Sequence, residues 1–250
     1  MKYLSIISII IFAFVLFSCK GEKKDEKIDF EKEYPDADAV YLKMKKEYTL
    51  NKDGSIDYHY YHQLKFLSYL SFNRLYGETF VVYHPDYQTL KINKSETTMA
   101  DGKLIVAPDN AFNEVLPRFA ANAPAYNQLR EMVITHTGLE LGATVELDYE
   151  IHSSKDYSDA LMAYEHIQAS SPIRELEIII NVPENVELNH QLEYDTLKFD
   201  VSNENGNKIY KATIHNIDAR SGEYHVAQKE QPFYTFSTLS FDELISELKQ

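Results

Sequence analysis

"DTLKFDVSNENGNKIYKATIHNI", residues 195–217, is the stretch whose reading decides the fold. Two runs of strand-forming residues flank Asn205-Gly206. That dipeptide suits the two left-handed backbone conformations of a two-residue hairpin turn, so the runs read as paired antiparallel strands. The same grammar recurs outward along the chain. "NKDG" (51–54) separates "AVYLKMKKEYTL" (39–50) from "SIDYHYYHQLKF" (55–66), and "ADGK" (100–103) leads into "LIVAPDNAF". In the first of these runs Val40, Leu42 and Met44 alternate with Tyr41, Lys43 and Lys45, the period of a half-buried strand. Further strands are expected in "TFVVYHPDY", "QTLKINKSETT", "EMVITHTG", "ATVELDYEIHS", "ALMAYEHIQAS" and "RELEIIINVP", with a short helical or looped passage at Tyr69–Gly77. Many short strands punctuated by such turns predict an all-β, antiparallel β-sandwich. Nineteen Tyr and thirteen Phe, with no Trp, lean the same way.

The two ends differ from this body. Met1-Lys2 precedes an apolar run from Leu4 to Phe17, and "VLFSCKGEKKDEK" (15–27) holds the one cysteine of the chain. A basic start, an apolar stretch of that length and a small residue before the cut describe a signal peptide, shorter than a membrane span. Leu16, Ser18 and Cys19 resemble the lipobox of bacterial lipoproteins. That resemblance implies cleavage before Cys19 and acylation of it; the plainer alternative is an anchor helix with an incidental cysteine. One acyl chain holds a protein to a membrane only marginally, and stable attachment takes two. The expected organisation is a lipoprotein signal peptide at 1–18, a lipidated Cys19 and charged tether at 19–37, and a sandwich at 38–236. Residues 237–250 would then form a C-terminal helix that begins a linker to a further domain. Ser240 and Glu243 have capping-box spacing, and Phe241, Leu244, Ile245 and Leu248 make one apolar stripe. The charged stretch after Cys19, and Lys20 in place of an aspartate, point to the outer membrane of the cell envelope.

A formal charge of −14 argues against a nucleic-acid partner and gives no help in binding anionic lipid, leaving membrane attachment to the anchor. Catalytic motifs are missing: there is no GxSxG, HExxH, CxxC or phosphate-binding glycine loop. His59 and His62 fall on opposite faces of a strand and cannot share a metal unaided. "DGSID" (53–57) lacks the spacing of a calcium loop and reads as a turn. Glu146, Asp148 and Glu150 alternate with Val145, Leu147 and Tyr149, as on the exterior of a sandwich; a glycosidase-like acid pair is the competing reading. The expected inventory is therefore no catalytic, cofactor or metal residue, with Cys19 as the lipidation site. A candidate docking feature is the loop Asn110–Gln128 with its "RFAANAPAYNQ" insertion, which could equally be a packing connection.

"PDNAFNEVLPRFAANAPAYNQLREMVITHTGLELGATVELDYEIHS" (108–153) resembles the domain of unknown function 3857, a bacterial β-sandwich module usually found before a transglutaminase-like domain. The resemblance is carried by Ile134–Gly138, the turn Leu139-Glu140-Leu141-Gly142 and the strand Val145–Tyr149. "YHPDYQTLKINKSETTMADGK" upstream and "SSPIRELEIIINVPENVEL" downstream extend it to about residues 38–236. In that family a segment like "PFYTFSTLSFDELISELKQ" leads into a core whose Cys, His and Asp form a thiol mechanism. With Cys19 taken as an anchor, that mechanism has no thiol in this chain. The implied function is a non-enzymatic, lipid-anchored envelope domain that binds or positions a partner protein or peptide. The alternative is the N-terminal part of a split or truncated transglutaminase-like or protease-like enzyme.

Overall fold

Asn205 (φ 52°) and Gly206 (φ 78°) both adopt the left-handed conformation in the computed structural model, which describes residues 29–194, 197–220, 231–240, 242, 243 and 246. The signal peptide, Cys19 and residues 20–28 of the tether lie outside the described residues, as do Phe241, Leu244, Ile245 and Leu248 of the terminal apolar stripe. The chain divides into two compact units, Met1–Glu33 and Tyr34–Gln250. In the first, the described part is a single helical turn, α1 (Phe30–Glu33), with Lys32 paired to Asp29 at 2.8 Å.

The second unit is built of strands. In chain order they are β1 (Ala39–Leu50), β2 (Ile56–Phe66), β3 (Glu78–Tyr83), β4 (Gln88–Thr98), β5 (Leu104–Val106), β6 (Phe112–Val115) and β7 (Arg130–Thr135). There follow β8 (Thr144–Ser153), β9 (Met162–His166), β10 (Ile173–Pro183), β11 (Asn189–Glu193), β12 (Asp200–Glu204), β13 (Asn207–Ile217) and β14 (Phe233–Ser237). A short helix, α2 (Arg74–Gly77), precedes β3. Eight strands form one large sheet in the order β12-β13-β10-β1-β2-β8-β4-β5, and two three-stranded sheets have the orders β11-β14-β9 and β3-β7-β6. Every described pair is antiparallel except β1 with β10, which run parallel through Met44↔Leu176 and Tyr48↔Ile180.

Both small sheets cover the same face of the large one. Leu176, Ile178, Ile180 and Val182 of β10 are fully or almost fully buried and share a core with Tyr234 and Phe236 of β14. Farther along, Val81 of β3 and Ile134 of β7 close over Leu147 and Tyr149 of β8. A third cluster, Ala39, Leu64, Phe66 and Val145, lies under Tyr76 of α2. The fold is thus a sandwich whose second layer comes in two pieces. Its open face carries the polar half of each alternation: Lys94 with Glu146 at 2.7 Å, His59 with Asp148 at 3.0 Å and Lys211 with Glu177 at 2.6 Å.

Several local readings need adjustment. A β-bulge between Tyr41 and Lys43 shifts the phase of β1, so Tyr41 shares a face with Met44 rather than with Lys43 and Lys45. The first run of the opening hairpin is a strand only from Asp200, and β6, β11 and β14 are strands that local patterning does not announce. β6 falls inside the stretch expected to be the loop Asn110–Gln128; the rest stays irregular, with 3-10 turns at Asp109–Ala111 and, in "RFAANAPAYNQ", at Arg118–Asn122 and Pro124–Tyr126. The Ser240 capping box is formed. Glu243 N donates to Ser240 Oγ at 3.3 Å, and Glu243 Oε2 accepts from Ser240 Oγ at 2.6 Å and from Ser240 N at 2.7 Å, which together hold that carboxyl below its ordinary range. Among the described residues no helix is long and apolar enough to cross a membrane.

Candidate functional site

Between the two pieces of the second layer lies a groove of about 660 Å³. Its floor comes from three adjacent strands of the large sheet: Tyr41, Met44 and Lys46 of β1, Tyr58, Tyr60 and His62 of β2, and Tyr149 of β8. These residues point the same way because strand side chains alternate, and the β1 bulge brings Tyr41 into line with them. One wall is Glu165 and His166 of β9 with the segment 167–170; the other is Leu75 of α2 with Glu78, Thr79 and Phe80 of β3. Arg220 stands on the rim.

The floor is an array of rings. Tyr58 and Tyr60 have centroids 6.5 Å apart, Tyr60 and Tyr149 5.2 Å, and Tyr41 meets His62 edge-on at 5.5 Å. Such offset and edge contacts suit the ring quadrupoles. Burial pushes the phenols of Tyr48, Tyr58, Tyr60 and Tyr234 well above the ordinary range, and that of Tyr41 up to about 12. The Glu165 carboxylate adds to this at Tyr48, Tyr58, Tyr60 and Tyr234. Every phenol here is therefore neutral at physiological pH, able to donate and to accept a hydrogen bond.

One charged pair sits in the groove. Lys46 Nζ bonds Glu165 Oε2, Tyr48 donates its hydroxyl to Glu165 Oε1, and the Tyr48 and Tyr234 hydroxyls lie 2.8 Å apart. Lys46 also lies over the Tyr234 ring, 5.9 Å from its centroid. His62 is 4 % exposed, and burial drives its pKa down to about 3; the neutral ring faces the Tyr60 hydroxyl through Nδ1 at 3.1 Å. Among the described residues its buried Nε2 has no partner, and neither does the buried Nδ1 of His166, whose ring lines the opposite wall.

Apart from His62, the residues singled out by sequence fall elsewhere. His59 and His62 do point to opposite faces, His59 toward Asp148 and Glu47 on the open side. Glu146, Asp148 and Glu150 line that open side too, where Lys94, Gln63 and Asn93 bond them. In "DGSID", Asp53 accepts from the Ser55 amide at 3.0 Å and the Ser55 hydroxyl at 2.7 Å, the geometry of a turn. Among the described residues no group of three or more His, Cys, Asp or Glu could hold a metal ion. Phe119 and Tyr126 of the "RFAANAPAYNQ" turns are half exposed, with rings 5.9 Å apart.

The groove itself escaped sequence reading. The period-two spacing of Tyr58, Tyr60 and His62 marks one face of a strand, and that much was visible. Lys46 and Glu165 are 119 residues apart, and nothing local joins them.

Residues 52–221 match a protein family, "Domain of Unknown Function with solved-structure structure (DUF3857)". Among solved structures, a chain from Parabacteroides distasonis ATCC 8503, described as a putative protease, superposes with a TM-score of 0.78 at 45 % sequence identity. The match covers 81 % of this chain and 40 % of that one, so this chain spans well under half of its relative's length. No curated protein matches.

Proposed function

The chain belongs to the DUF3857 family, and from that premise we propose that it is a non-enzymatic binding domain of the bacterial cell envelope. It is held to the outer membrane through acylated Cys19, and it presents the tyrosine-floored groove to a peptide or protein partner. The observation that carries this reading is the groove: neutral phenols, the rings of His62 and His166 and one internally paired Lys46–Glu165 couple line it among the described residues. Such a site recognises without supplying a reactive charge. Glu146, Asp148 and Glu150, the competing acid set, are bonded to lysine and amide groups on the open face.

Coverage of only 40 % of the Parabacteroides chain favours a second reading, in which a protease-like or transglutaminase-like core works alongside this domain. In both readings the chain itself turns nothing over. Purified protein incubated with casein and a primary amine should give neither cleavage nor amine incorporation, and Glu146→Gln or Asp148→Asn should change nothing. Turnover lost in those variants would replace the binding reading with a hydrolytic one. Cys19→Ala should shift the protein from the membrane pellet to the soluble or uncleaved fraction; a mature, membrane-bound Cys19→Ala protein would remove the anchor.

A further inference from the structure

The groove also says what kind of partner it takes. We propose that it binds an extended, uncharged peptide segment laid along β9, with its side chains on the tyrosine floor; this deepens the binding-domain reading and rests on it.

Four observations converge. First, β9 ends its sheet in the order β11-β14-β9, so its outward row of backbone N–H and C=O groups has no ladder partner among the described residues. An open edge of this kind is a template for another strand. Second, the floor beneath that edge spans β1, β2 and β8. Adjacent strands lie about 4.8 Å apart, so the floor is about 10 Å across, room for one strand above it. Third, the rings of His62 and His166 line this groove, and among the described residues His62 Nε2 and His166 Nδ1 have no hydrogen-bond partner. A buried polar atom left unmet is costly; both atoms are covered as they stand, and a ring rotation on binding would let a peptide amide, which offers both a donor and an acceptor, answer them. Fourth, the charges cancel. Lys46 is neutralised by Glu165, the rim adds Arg220 and Glu78 of opposite sign, and the chain as a whole carries −14. An acidic segment would be repelled by the whole molecule, and a basic one, though drawn by the net charge, would have to compete with Lys46 for Glu165 and for the ring faces, as Lys46 already lies over Tyr234. An uncharged segment, with aromatic or aliphatic residues at alternate positions, fits the ring array.

The test uses the full-length protein in detergent and a phage-displayed library of linear dodecapeptides. The best binder is resynthesised in two forms, unmodified and with alternate backbone nitrogens methylated, and affinities are measured by calorimetry. Methylation should weaken binding at least tenfold, because it removes the donors a strand needs. Amide exchange of Met162–His166 should slow at least tenfold in the complex, and His62→Phe should lower affinity about tenfold. If methylation leaves affinity unchanged, or protection appears only elsewhere, the groove assignment is overturned while the binding-domain reading stands. If no linear peptide is selected, peptide binding itself is overturned. The methylation and exchange arms leave the protein sequence intact, so misfolding of His62→Phe would not decide the result.

Discussion

His62 and His136 lie 6.2 Å apart between centroids, each less than a tenth exposed, and burial holds their pKa values down to about 3 and about 4. Unfolded, both would titrate near 6.5. Between those values the unfolded chain takes up protons that the folded chain refuses, so the stability they carry is complete above pH 6.5 and is lost as pH falls toward 4. The loss should be about 1.4 kcal/mol per pH unit for each histidine over that window. Glu146 and Glu177, held below their ordinary 4.5, act in the same direction but only at lower pH. Urea unfolding at pH 7, 5.5 and 4.5 should therefore show a steep decline, and His136→Leu should flatten it; an equal decline in that variant would assign the pH dependence to other groups. That His62 points inward is legible from its spacing, two and four residues after Tyr60 and Tyr58. That its neighbour is His136 is not, because the two meet only when the β3-β7-β6 sheet closes over β2.

Turns were the most legible elements, since everything they need is local. Gly138 and Gly206 both take positive φ, +74° and +78°, but their surroundings differ. A Cβ on Gly138 would meet Ile105 Cγ1 at 3.0 Å, whereas one on Gly206 would find only the flexible end of Lys52 at 3.7 Å. Gly206→Ala should cost about 1 kcal/mol for left-handed strain alone. Gly138→Ala adds overpacking against Ile105 and should cost about 2–4 kcal/mol. Chemical denaturation of the two variants gives the order directly, and a larger loss at Gly206 would contradict it. Strands were legible where alternation was clean, as in β2 and β8, and illegible where pairing was remote. β11, "NHQLE", is almost wholly polar and is a strand only because β14 runs beside it. The parallel β1-β10 pair joins segments more than a hundred residues apart, and the bulge that turns Tyr41 inward leaves no mark on the amino-acid pattern.

For the molecule as a whole, composition and turn spacing sufficed for an all-β sandwich, but not for a second layer in two pieces or for the groove between them. Two-piece construction raises the question of whether the halves unfold separately. A unit of this size need not be two-state, since that behaviour is usual only for smaller single domains. Here the side chains argue for one transition. Tyr41 packs against both the β10-β14 core and the cluster under α2, while Tyr58 and Tyr60 pack against the β10-β14 core and the β3-β7 core. The same tyrosines that floor the groove therefore bridge the cores, and neither half can open without exposing rings the other half shares. With 19 Tyr and no Trp, tyrosine emission reports on side-chain packing throughout the chain, the floor rings included, and far-UV circular dichroism reports on the backbone of all the sheets. Their unfolding midpoints in urea should coincide. Tyr60→Ala should lower both together by removing a bridging ring, about 3–5 kcal/mol by analogy with other large aromatic truncations. Midpoints that part in the wild-type chain would mean that the two halves are independent and that the groove is a hinge rather than a rigid site.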